Sequence, residues 1–81
     1  MTREEIFGEL KAIAAGKVKL PEGEIREEMK ILEDLGLDSL TIADLIISTE
    51  EHFRFELQEE DLLGLGTVGK LLDVIQARAT V

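Results

Sequence analysis

The stretch Glu33-Asp34-Leu35-Gly36-Leu37-Asp38-Ser39-Leu40 decides how the rest of the chain is read. Gly36 allows a sharp backbone turn, and Asp38 is a good helix N-cap. A helix starting there carries Ser39 in its first turn with the hydroxyl toward solvent. Downstream, Ile42, Leu45, Ile46, Thr49 and Phe53 recur at helical spacing, which predicts a helix from Asp38 to about Phe53. Asp44, Ser48, Glu51 and His52 fall mostly off that stripe. An exposed hydroxyl at a helix start is a place to attach a phosphate, since free N–H groups and the positive dipole end favour an anion, although Asp38 works partly against this. Asp-Ser at a helix start is also ordinary capping chemistry, so these residues alone assign no function.

On the N-terminal side, Thr2 and Glu5 form a capping-box pair, Ile6, Leu10, Ile13 and Phe7 share a face, and Gly16 is a natural stop. From Lys17 to Gly36 the chain carries Pro21, Gly23 and many charges. It reads as a long loop pinned inward by Leu20, Ile25, Ile31, Leu32 and Leu35, with one helical turn around Arg26 to Lys30. On the C-terminal side, Glu59 to Leu63 reads as a short helix ended by Gly64 and Gly66. Thr67 then caps a last helix that buries Val68, Leu71, Leu72 and Ile75. Gly64, Gly66 and Gly69 suggest a mobile approach to that helix. With no alternating strand pattern, the expected fold is all-α. It is a small four-helix bundle of three main helices and one short one, with a long loop between helices 1 and 2 and a single domain over residues 1–81.

The whole chain has 81 residues, 18 acids against 9 bases and a formal net charge of −9, which disfavours nucleic acid and points to basic partners. The excess is local: between Asp38 and Asp61 eight acids face Arg54 alone. Without cysteine there is no disulfide framework and no thiolate chemistry. His52, the sole histidine, lacks a recognisable nucleophile and orienting group and reads as a surface residue. The calcium-loop and P-loop patterns are absent, so no dedicated metal site is expected. No apolar run is long enough for a membrane span, and the cytoplasm is the expected compartment.

At Leu35, Gly36, Asp38, Ser39 and Leu40 the sequence resembles the acyl carrier protein family, at its signature around the serine that receives 4′-phosphopantetheine. The likeness extends through Glu50, Glu51 and Phe53, the acidic turn Glu59 to Asp61, and Thr67 with Val68; Ile31 and Leu32 stand where the family anchors its long loop. The resemblance implies a carrier and not an enzyme. A phosphopantetheinyl transferase would modify Ser39, next to Asp38, with the arm from coenzyme A, and the arm's thiol would hold acyl groups as thioesters. The sulfur would then come with the cofactor, in keeping with a chain that has no cysteine. Leu40, Asp44, Ile47 and Glu50, with Glu51 and Glu56 nearby, match partner-contact positions. Expected partners are that transferase, an acyl-loading ligase or transferase, and a ketosynthase and other synthase enzymes with basic docking patches. Ala43, Ile46, Val68 and Leu72 are the expected acyl-chain pocket, and a monomer is expected.

Thr41, Ser48, Thr49 and His52 depart from the pattern of primary fatty-acid carriers and favour a discrete carrier of a specialised acyl pathway, such as polyketide or lipid synthesis. Two alternatives remain open at this stage. One is an aminoacyl or peptidyl carrier, and the other is an acidic protein-interaction module without cofactor.

Overall fold

Local capping fixes where the helices begin. In the computed structural model, which describes residues 2–18, 20–58, 60–61 and 64–78, α1 spans Arg3–Ala15, α2 Ser39–Phe53 and α3 Val68–Arg78. At α1, Thr2 Oγ1 accepts from the Glu5 N–H at 3.1 Å while the Thr2 N–H donates to Glu5 Oε1 at 2.8 Å. Two N–H groups that a helix start leaves unpaired are thereby satisfied. The Thr2 N–H, followed by the Thr2 hydroxyl, holds the Glu5 carboxyl below its ordinary range. At α2, Asp38 Oδ1 accepts from the Thr41 N–H at 2.8 Å, and at α3, Thr67 Oγ1 accepts from the Lys70 N–H at 3.2 Å. α2 ends at Arg54, whose backbone is left-handed at φ 56° and whose N–H returns to the Glu50 carbonyl.

The apolar stripes meet in one cluster: Ile6, Leu10 and Ala14 from α1, Leu45 and Phe53 from α2, and Val68, Leu71, Leu72 and Ile75 from α3. α1 packs against both other long helices. Thr49 is a buried polar residue within this cluster, and its hydroxyl donates to the Leu45 carbonyl one turn back at 2.7 Å. That bond offsets the cost of burying a hydroxyl and explains how a polar side chain stands at an apolar position.

The long loop departs from expectation in two ways. Its helical turn is a 3-10 turn at Glu22–Glu24, just after Pro21, whereas Arg26 to Met29 forms only a hydrogen-bonded turn. Ile25, Ile31 and Leu35 are buried and Leu20 packs against the core, but Leu32 is 65% exposed and Leu37 takes an inward place instead. The cause is the path of the backbone, which lies alongside the start of α3. The Ile31 N–H donates to the Gly66 carbonyl, Val68 to Met29 and Gly69 to Glu27 at 2.8 Å, so adjacent side chains are directed to opposite sides. Gly69 is therefore a close-approach residue: a Cβ there would lie 3.2 Å from the Glu27 carbonyl oxygen. Arg3 fastens the same region, with Nη2 2.7 Å from Glu27 Oε1, Nη1 2.8 Å from Asp73 Oδ1 and further bonds to Gln76 and the Gly69 carbonyl.

Of the expected short helix, Glu60 and Asp61 are helical, while Glu59, Leu62 and Leu63 lie outside the described residues. The Arg78 guanidinium grips the Asp61 carboxylate with two nitrogens, joining this segment to the end of α3. No strand forms among the described residues, and none of their helices is long and apolar enough to cross a membrane.

Candidate functional site

Gly36 sits at φ 64°, a left-handed conformation that glycine adopts without a Cβ penalty. The leucines on either side of it, Leu35 and Leu37, are each 7% exposed. Two buried anchors around a forced turn hold Asp38 and Ser39 outside the core. Ser39 is the first residue of α2 and is exposed, and Leu40 after it is 82% exposed.

Asp38 decides what the helix end can do. Its carboxylate takes the Thr41 N–H and also faces that of Leu40, and the Thr41 contacts lower its pKa most. The first-turn donors that would attract an anion are thus already occupied by a carboxylate, so the helix end does not supply a ready anion site. What the geometry offers is an accessible serine hydroxyl.

Beside that hydroxyl runs an apolar groove of about 360 Å³, bordered by Ser39, Ala43 and Ile46 of α2, Leu65 and Leu71, and the loop residues Ile31 and Leu32. Of the four residues expected to line an acyl-chain pocket, Ala43 and Ile46 border this groove. Val68 and Leu72 do not line this groove: both point into the core, at 4% and 0% exposure, because their phase on α3 turns them toward the other helices. Leu71, Ile42 and the outward-facing Leu32 take their place, which the chain's local periodicity does not reveal.

The expected partner-contact residues form a second surface along α2, and their surroundings differ. Leu40 and Ile47 are large exposed apolar side chains. Glu51 and Glu56 are exposed and, with Ile47 and Arg54, border a shallow depression of about 520 Å³. Glu50 is half-buried, and its Oε2 accepts from the Leu57 N–H at 2.8 Å, which ties the chain after α2 back to the helix. Asp44 is paired with Lys17, Nζ to Oδ2 2.9 Å. His52 Nε2 lies 2.7 Å from Glu9 Oε1 and the ring meets Phe53 edge-on, so this histidine joins α1 to α2. Lys17 and Glu9 carry no sequence signal for these roles, since their partners are 27 and 43 residues away. Among the described residues no cluster of three or more histidine or acidic side chains suits a metal ion.

Comparison with known proteins matches residues 8–75 to the family described as "Phosphopantetheine attachment site". The chain is 36% identical over 77 residues to the acyl carrier protein of Thermotoga maritima, covering 95% of each chain. It is 43% identical to that of Coprothermobacter proteolyticus, covering 95% of this chain and 94% of the relative. A solved structure of the acyl carrier protein from Enterococcus faecalis superposes with a TM-score of 0.80 at 26% identity, covering 98% of this chain and all of that one.

Proposed function

The chain belongs to the acyl carrier protein family, and from that premise we propose that Ser39 Oγ is the attachment atom for its 4′-phosphopantetheine and that α2 is the surface partner enzymes read. Members of this family carry 4′-phosphopantetheine and are carriers, not enzymes. When attached, the group supplies a thiol that holds acyl cargo as a thioester. The residues around Ser39 fit that group: the hydroxyl is exposed, the turn at Gly36 leaves it clear of the core, and the apolar groove opens beside it. In the attachment step Ser39 Oγ would bond to phosphorus as the phosphoanhydride of coenzyme A breaks. The hydroxyl proton would pass to a base on the transferase, and adenosine bisphosphate would leave.

The observation that carries this reading is the position of Ser39 at the junction of two surfaces. One side is the groove, which suits an apolar chain because each buried methylene gains about 0.8 kcal/mol. The other is the acidic, partly apolar face of Leu40, Asp44, Ile47, Glu50, Glu51 and Glu56, which suits the basic patches of a phosphopantetheinyl transferase, an acyl-loading ligase or transferase, and a ketosynthase or other synthase enzyme. The proposed cargo is acyl groups of fatty-acid, polyketide or related lipid synthesis, carried by residues 1–81 as one monomeric, cytoplasmic domain. Of the four departures from primary fatty-acid carriers, Thr49 is buried beyond a partner's reach and His52 is engaged by Glu9. Thr41 and Ser48 are left to bear on partner choice, toward a specialised pathway.

Incubation with coenzyme A, magnesium and a broad phosphopantetheinyl transferase, read by intact mass, tests the assignment. Wild type is expected to gain one phosphopantetheine and Ser39→Ala none. No gain on wild type across several transferases sinks the carrier reading, and a gain that survives in the variant moves the site away from Ser39.

A further inference from the structure

The acids of the docking face are not equally available. Glu51 and Glu56 are exposed and have no ion pair among the described residues. Asp44, five residues along α2 from Ser39, is neutralised by Lys17 at 2.9 Å. The two partners of this pair sit differently. The Lys17 side chain is only 19% exposed, and its backbone N–H is tied to the Ala14 carbonyl at 2.8 Å, so the cation is delivered from a fixed stem. The Asp44 side chain is 62% exposed, leaving its carboxylate open to an incoming cation while Lys17 holds the other side.

We propose that Lys17 is a charge gate on the docking surface, covering Asp44 until a lysine or arginine of a basic partner protein displaces it; this rests on α2 being the surface that partners read. A basic patch then meets free charge first at Glu51 and Glu56, toward the far end of α2, and reaches Asp44 only by exchanging with Lys17. Exchange of one exposed ion pair for another is nearly balanced, so the contact closest to the attachment serine adds orientation with little affinity. Lys17 is in this sense a specificity-determining residue: a partner without a cation placed for Asp44 meets the lysine's own charge there.

The test uses the full chain, coenzyme A and a broad phosphopantetheinyl transferase as the basic partner, with kcat/KM for transfer measured at low ionic strength. Lys17→Met retains an unbranched stem and removes the charge, Lys70→Gln removes the same charge from an exposed site on α3, and thermal melts check that each variant folds. Lys17→Met is expected to raise kcat/KM roughly two- to fivefold, mainly through KM, and to do so more than Lys70→Gln. In an Asp44→Asn background that excess is expected to shrink to the repulsion between Lys17's own charge and the partner. A wild type that is loaded normally, with Lys17→Met no better than Lys70→Gln or with the excess undiminished without Asp44, overturns the gate while leaving the carrier reading intact. A wild type that no transferase loads overturns both.

Discussion

The two ends of α1 anchor different kinds of surface. At its start, Arg3 joins the loop and α3 to α1 through Glu27, Asp73, Gln76 and the Gly69 carbonyl, and the Glu27 and Asp73 carboxylates raise the guanidinium's pKa further. Just past its end, Lys17 makes one ion pair to an exposed carboxylate on the face beside Ser39. The first arrangement is held by several bonds that must break together, so it behaves as permanent structure. The second is a single exposed pair, the one proposed above to exchange with a partner's cation. Stability and the proposed docking face are thus separated in space, with the helix interfaces and the Arg3 cluster on one side and the outer face of α2 on the other.

That separation can be broken most severely in the core. Leu72→Ala, at a fully buried position, is expected to destabilise by about 2–5 kcal/mol in chemical denaturation, while transfer to Ser39 measured at low temperature on folded protein is retained. Gly69→Ala comes next. Its Cβ would push on the Glu27 carbonyl that the residue's own N–H binds, so a loss of roughly 1–2 kcal/mol is expected. Gly66→Ala, with no atom beyond its chain neighbours within 4 Å of the added carbon, should be neutral or slightly stabilising in the same denaturation measurement. If both glycines behaved alike, Gly69 would be a matter of chain freedom and not of close approach.

Acid titration gives a smaller effect that sharpens the comparison at the helix starts. The folded pKa values of Glu5 and Asp38 are depressed from ordinary values of 4.5 and 3.8. Their contribution is therefore present above those ordinary values and is lost as pH falls below them through the lowered folded values. Thermal melts from pH 6 downward should show this loss, and Glu5→Gln and Asp38→Asn should each flatten the profile. Least disturbed in stability is Leu40→Ala, within about 0.5 kcal/mol because the side chain is 82% exposed. Its kcat/KM with the transferase is expected to fall roughly fivefold. A large melting shift for Leu40→Ala with unchanged transfer kinetics would remove the distinction between the two surfaces.

The legible parts of the molecule are those whose causes lie within a few residues. Thr2 with Glu5, Asp38 with Thr41, and Thr67 with Lys70 are each three apart, and the stripes Leu45–Thr49–Phe53 and Leu71–Leu72–Ile75 repeat at helical spacing. The forced turn at Gly36 and the exposed Ser39 belong to the same class, since one glycine and one cap produce them. Leu32 is different. Nothing in its local spacing says that it lies out, because that follows from the loop's hydrogen bonds to Gly66, Val68 and Gly69. The groove beside Ser39 is similarly hidden, as Leu71 borders it and Leu72 does not.

The sequence by itself determined the helix starts, the buried stripes, the serine at the head of α2 and the concentration of acid that follows it. These depend on backbone donors, side-chain period and formal charge, all of which are local quantities. Only the tertiary structure decided which acids are free and which are engaged: Lys17 covers Asp44 from 27 residues away and Arg78 holds Asp61 from 17. Charge is written along the chain, but its availability depends on what the fold brings within about 3 Å, and no reading of spacing along one helix contains that distance.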